Sequence, residues 1–258
     1  ARVVDGIRSS GSEPVSVEVS ESIAADQRAL YVDTAGTRRV PAAGLEGLLG
    51  HDVHSVTAVN AGGARTSVGI GAIVESLGAV TADRVSGELR RQPESFFQSN
   101  RFLVAGLVGA VSDSVLPDGD VLDLYAGVGL FALALDASHG VVAVEGHPIS
   151  GADLERNARE SGGRVKAVVS SVEQHLQAVS HWPASVIVDP PRTGLSRDVL
   201  AALGAGTPPR LVYVSCDPAT LARDARGLLD AGYQLRSVRG FDLFPNTPHI
   251  ETLAVFDR

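Results

Sequence analysis

The sequence predicts an α/β protein: a seven-stranded, mostly parallel Rossmann-like sheet preceded by a smaller strand-rich domain. Three observations lead there. From Asp120 onward, short apolar runs alternate with segments of helical length, as in a parallel sheet buried on both faces. The last two apolar runs have no helix between them, so that pair is expected to be antiparallel. Residues 1–92 show short runs and turn signals instead, so the division is drawn as 1–92 and 93–258.

In the first part, Val15-Ser16-Val17-Glu18-Val19 alternates as a half-buried strand does. Ala29–Asp33 reads as a strand leading to a hairpin turn at Ala35-Gly36. Val53–Val59 and Thr66–Ile70 flank the turn Asn60-Ala61-Gly62-Gly63. His51 and His54 have no third ligand near them in sequence, so they read as surface histidines. In the second part, strands are predicted at Val121–Tyr125, Val141–Glu145, Val165–Val169, Ser185–Asp189 and Leu211–Ser215. The helices are predicted at Leu130–Ala137, Ile149–Glu160, Val172–Val179, Ser196–Leu203 and Pro218–Ala231, and the closing strands at Gln234–Asp242 and Glu251–Phe256.

Composition narrows the function classes. Hydrophobic residues make up 44% of 258 and charged residues 20%, an ordinary globular balance. No apolar run would span a bilayer and no secretory segment is evident, so a cytoplasmic, membrane-free protein is expected. A single cysteine, Cys216, rules out an intrachain disulfide and argues against an iron–sulfur cluster or another metal centre. The net charge of −8 is the wrong sign for a general nucleic-acid binder, so any RNA contact must be a local patch. A monomer is expected.

Val121 to Phe131 is a strand, a glycine turn at Gly127 and Gly129, and a helix start. That arrangement lets a ligand approach the backbone at the carboxyl edge of the sheet. Asp123 inside the strand and Glu145 at the end of the next one favour S-adenosylmethionine over a dinucleotide, Glu145 through ribose hydroxyls. Either acid alone reads equally well as a strand-end cap. Val188-Asp189-Pro190-Pro191 puts a carboxylate on a stiff turn at the same edge, where an ordinary Asp-Pro turn is the plainer alternative. A lone cysteine is ordinarily a small buried hydrophobe, but Cys216 follows a strand and leads into a helix, whose N-terminus can lower the thiol pKa, so position favours a nucleophile without establishing one. Glu251 opens an otherwise apolar strand, and His249 before it reads as a turn residue or a group orienting it. Phe96-Phe97-Gln98-Ser99-Asn100 offers aromatics and amides for a base, flanked by Arg90, Arg91 and Arg101 for phosphates.

Over about residues 85–258, these segments resemble the RNA uracil-5 methyltransferases. The resemblance rests on Phe96–Asn100, Asp123–Gly129, Asp189–Gly194, Ser215–Asp224 and Phe244–Glu251 in the family's order. It implies a class I methyltransferase sheet, an RNA substrate, ribosomal or transfer, and S-adenosylmethionine as cofactor. It further implies Cys216 as nucleophile and Glu251 as base, with Gln98, Tyr125, Leu130 (through its backbone), Glu145 and Asp189 at the cofactor. Asp189 and Phe96 would also meet the target base. The chain departs from the family in showing no oligonucleotide-binding barrel, in Ser171 where an acid usually follows the third strand, and in Ala126 where a cysteine is frequent. An RNA cytosine-5 methyltransferase is disfavoured because Ser215, not proline, precedes Cys216. An RNA-binding or assembly protein without turnover is the alternative from another class.

Overall fold

The computed structural model describes residues 2–9, 11–50, 52–98 and 100–258. His51 and Ser99 therefore lie outside the described residues. The chain forms two compact units, one of residues 1–75 and 90–96, the other of 76–89 and 97–258. Sequence pattern drew a single boundary at residue 92, whereas here residues 76–89 group with the larger unit.

In the smaller unit, β1 (Pro14–Glu21), β2 (Arg28–Thr34), β3 (Ser55–Asn60) and β4 (Arg65–Gly69) form a sheet in that order. Helix α1 (Arg2–Ser9) contributes Ile7 to its core, and α2 (Ala42–Glu46) contributes Leu45. The Asn60 turn forms as expected. Its side chain accepts from the N–H groups of Gly62 at 3.0 Å and Ala64 at 2.8 Å, and Gly63 takes φ +79°. The hairpin expected at Ala35-Gly36 does not form. β2 and β3 are parallel, so the chain needs a crossover there, and α2 supplies it. Strand β1 alternates, but Val15 and Val19 face solvent at 71% and 65% exposure, so its apolar side is not the buried one.

The chain continues through β5 (Ile73–Ser76), α3 (Leu77–Thr81) and β6 (Glu88–Arg91) to α4 (Val104–Ser112). The sheet of the larger unit is then built from β7 (Val121–Leu124), β8 (Val141–Glu145), β9 (Val165–Val169), β10 (Ser185–Val188), β11 (Arg210–Ser215), β12 (Gln234–Phe241) and β13 (Glu251–Asp257). Its order is β12-β13-β11-β10-β7-β8-β9. Only β13 runs against its neighbours, as the missing helix before it predicts. The interleaved helices are α5 (Leu130–Ala134), α6 (Pro148–Glu160), α7 (Val172–Gln177), α8 (Arg197–Gly206) and α9 (Pro218–Asp230).

Strands β7, β10, β11 and β13 are buried almost throughout, because helices cover the inner strands of a parallel sheet on both faces. Helix starts follow side-chain chemistry. Ser171, Ser196 and Asp217 accept backbone N–H bonds at the starts of α7, α8 and α9, and Pro218 fills the first position of α9. Ser171 is thus the cap of α7. The strand order reverses between β7 and β10, which opens the crevice at the carboxyl ends of these strands.

Candidate active site

The site begins at the end of β7. Tyr125 takes φ +61°, a left-handed conformation costly for a side-chain-bearing residue, and Gly127 and Gly129 follow at +57° and +95°. A Cβ on Gly127 would meet no heavy atom within 4 Å, so the backbone there is open to a ligand. Glu145, at the end of β8, holds this turn. Its carboxylate accepts from Gly127 N–H at 2.7 Å and from His147 N–H at 2.6 Å. Asn157 on α6 donates to the Val128 carbonyl at 2.9 Å. Leu130 opens α5 directly behind Gly129.

Asp123 lies under the same turn and is fully buried. Oδ2 accepts from Ala132 N–H at 3.1 Å, while Oδ1 has no hydrogen-bond partner among the described residues. Burial pushes its carboxyl up to about 7, despite the bond from Ala132. Gln98 is also buried, at 4% exposure, and its Oε1 likewise has no partner.

The reactive edge is set by register. Strands β11 and β13 pair up to Ser215↔Thr252; Cys216 follows the last paired residue of β11 and Glu251 precedes that of β13, near enough for Glu251 to act on the thiol electrostatically. The parallel ladders end at Leu124↔Val188 and Val188↔Tyr213, which brings Tyr125 and Asp189 to the same edge. Glu251 is only 1% exposed, and burial raises its carboxyl to about 7. Asp189 is raised well above the ordinary range, first by burial, then by Glu251 and Asp123. Cys216 is half-buried and therefore reachable.

The thiol corrects one expectation. Its pKa is raised, not lowered: burial dominates, Glu251 and Asp189 add to it, and Arg192 opposes them. The helix N-terminus is already spent, because Asp217 accepts the N–H groups of Ala219 and Thr220, both at 2.9 Å.

Sequence reasoning missed a clamp behind this edge. Asp224 Oδ2 accepts from Leu195 N–H and from Tyr213 O–H, both at 2.8 Å. Its Oδ1 accepts from Arg223 Nε at 2.8 Å, and Arg223 Nη2 donates to the Thr193 carbonyl at 2.8 Å. Gly194 sits between them at φ +74°, and a Cβ there would lie 2.4 Å from Asp224 Oδ2. The loop after Asp189 is thereby fixed to α9. A carboxylate on the inner face of a helix was the available signal. Asn100 makes a comparable tie, donating to the Leu243 carbonyl at 3.1 Å in the loop before Glu251. His249 meets Phe244 edge-on, ring centroids 6.4 Å apart.

Phe96 belongs to the smaller unit and is 69% exposed. Arg91, expected at phosphates, is instead buried at 3% and donates to Glu75, to Ser20 and to the Glu21 carbonyl. A buried carboxylate beside it holds its guanidinium inward. Among the described residues no cluster of three or more His, Cys, Asp or Glu could hold a metal ion. No helix of the described residues is long and apolar enough to cross a membrane.

The sheet order, the glycine turn and the antiparallel last strand define the larger unit as a class I methyltransferase fold. More specifically, residues 166–258 match the model of the tRNA (Uracil-5-)-methyltransferase family. The chain is similar to an uncharacterized RNA methyltransferase of Thermosynechococcus vestitus, with 40% identity over 62% of this chain and 37% of the relative. It is 38% identical to the 23S rRNA (uracil(1939)-C(5))-methyltransferase RlmD of Pseudomonas fluorescens, over 66% of this chain and 38% of that one. Among solved structures it resembles the Pyrococcus abyssi tRNA (uracil-54, C5)-methyltransferase in complex with S-adenosyl-L-homocysteine. That match has a TM-score of 0.77 and 26% identity, and covers 93% of this chain and 59% of the other. The chain spans less than half the length of the curated relatives it matches, 37% for the first and 45% for another.

Proposed function

We propose that this protein transfers a methyl group from S-adenosylmethionine to carbon 5 of a uridine in ribosomal or transfer RNA, through a covalent bond between Cys216 and the base. The observation that supports this reading is that Cys216 lies at the end of β11 close enough to Glu251 and Asp189 for both carboxylates to act on its thiol. The similarity to RNA uracil-5 methyltransferases supports it. The smaller unit would contact RNA.

The residues fit the cofactor. Gln98 Oε1 is a buried acceptor without a donor among the described residues, as a ligand-binding amide would be. Each Glu145 oxygen already takes one N–H and has room for a second bond, such as one from a ribose hydroxyl. Gln98, Tyr125, the Leu130 backbone, Glu145 and Asp189 would hold the cofactor, with Gly127 and Gly129 giving it space and Asp123 bracing the turn from below. When bound, S-adenosylmethionine supplies an electrophilic methyl group.

Carbon 5 of uracil is a weak nucleophile. Cys216 Sγ adds at carbon 6, and the displaced electron pair moves to O4 as an enolate, which makes carbon 5 reactive. Once carbon 5 carries the methyl group, Glu251 removes its hydrogen. The electron pair then re-forms the ring double bond and expels the thiolate. The raised carboxyl of Glu251 suits a base working near neutrality.

Two variants test this. Cys216→Ala lowers tritium release from 5-tritiated uridine in RNA by about a thousandfold or more, while calorimetric binding of S-adenosylhomocysteine persists. Glu251→Gln accumulates an enzyme–RNA adduct on a denaturing gel. Full activity in the alanine variant, or no adduct under turnover conditions, would remove the assignment.

A further inference from the structure

Strand β12 carries a bulge. Gln234 and Leu235 pair with Asp257 and Phe256, but Ser237 pairs with Val255, so Arg236 is the extra residue. A one-residue shift exchanges the two faces of a strand. Because of it, Glu251 is paired with Phe241 rather than with Gly240, and Leu253 with Arg239. Directly paired residues share a face, so Arg239 and Phe241 stand on the face of Glu251. The row Phe241↔Glu251 runs across β12 and β13, and Cys216 follows the end of β11 on the other side of β13. Strand spacing puts Phe241 roughly 10 Å from the thiol, about one nucleotide away.

Two further features set this edge apart. The guanidinium carbon of Arg239 lies 5.3 Å from the centroid of the Phe241 ring. Arg239 is exposed and has no carboxylate partner among the described residues, whereas Arg236 on the same strand is paired with Asp257 at 2.6 Å. A chain of net charge −8 needs local, uncommitted cations to meet phosphate, and Arg239 is one beside the reactive row.

We propose that the β12 edge is the RNA-facing wall of the site, with Phe241 packing against the base next to the target uracil and Arg239 taking the adjoining phosphate. This rests on the function proposed above and names the side from which RNA approaches. Stacking on an aromatic ring tolerates any base, so Phe241 contributes affinity and position rather than sequence choice.

Steady-state kinetics with transcribed 23S rRNA and tRNA carrying 5-tritiated uridine tests it. Arg239→Gln and Phe241→Ala each raise KM for RNA about tenfold with kcat within about twofold, and Phe241→Tyr retains the parent KM. Arg239→Gln also flattens the salt dependence of RNA binding by about one counterion. Calorimetric affinity for S-adenosylhomocysteine is unchanged in all three. The proposal is overturned if both KM values stay within about twofold, or if cofactor affinity falls in parallel. It is equally overturned if the variants change only self-association in sedimentation, which would make the edge a protein contact. If Glu251→Gln forms its adduct while Arg239→Gln is silent, only this proposal fails. If no adduct forms, the reading beneath it fails.

Discussion

Glu251 and Cys216 illustrate how burial and a neighbouring carboxylate set a residue's chemistry. The thiol is held protonated first by burial and then by Glu251 and Asp189, while Glu251 is held protonated by its own burial. Both must be ionised at some point in the proposed reaction, the thiol to attack and the carboxyl to accept a proton. The rate at saturating cofactor is therefore expected to rise with pH, through an inflection near 7 that belongs to Glu251 and a further limb from the thiol. Glu251→Gln should remove the inflection near 7 from the adduct-resolving step in single-turnover measurements. A rate that is flat between pH 6 and about 8 would exclude a base with this raised carboxyl.

At the scale of elements, strand ends alone do not fix Asp189. The loop it begins is fastened to α9 through Asp224, which collects bonds from Leu195, Tyr213 and Arg223. Asp224→Asn replaces an acceptor with a donor facing donors. We expect it to cost about 3 kcal/mol in urea unfolding and to lower kcat, since the loop bearing Asp189 and Arg192 is released. Tyr213→Phe loses one neutral–charged bond and should cost about 1.5 kcal/mol. The reverse order of cost would show that Asp224 is not the centre of the clamp. This element was only partly legible in the sequence. Ser215–Asp224 stood out as a segment, but Asp224 meets Leu195 across a separation of 29 residues, and only folding brings them together. The bulge at Arg236 was hidden for a similar reason, since register is a property of two strands.

For the whole molecule, the alternation of apolar runs and helices from Asp120 onward was enough to read the sheet, because each βα step repeats one local pattern. The parallel β2–β3 pair was not readable, because its crossover helix α2 is five residues long and carries no periodicity. What the fold does with its buried carboxylates yields a global consequence. Asp123 and Glu251 are both raised to about 7, from ordinary values of 3.8 and 4.5. In that window the unfolded chain has released protons that the folded chain still holds, so stability falls as pH rises. The contribution is full below about pH 4 and lost as pH passes through 7. Asp257, Asp217 and Asp136 are lowered and act oppositely, losing their contribution as the medium becomes more acidic. Stability should therefore peak in mildly acidic solution and decline toward pH 8. Urea midpoints measured across that range check it, and Asp123→Asn, which keeps an oxygen for Ala132 N–H, should flatten the decline. A midpoint that climbs steadily from pH 5 to about 8 would mean that these two carboxyls ionise freely in the folded protein.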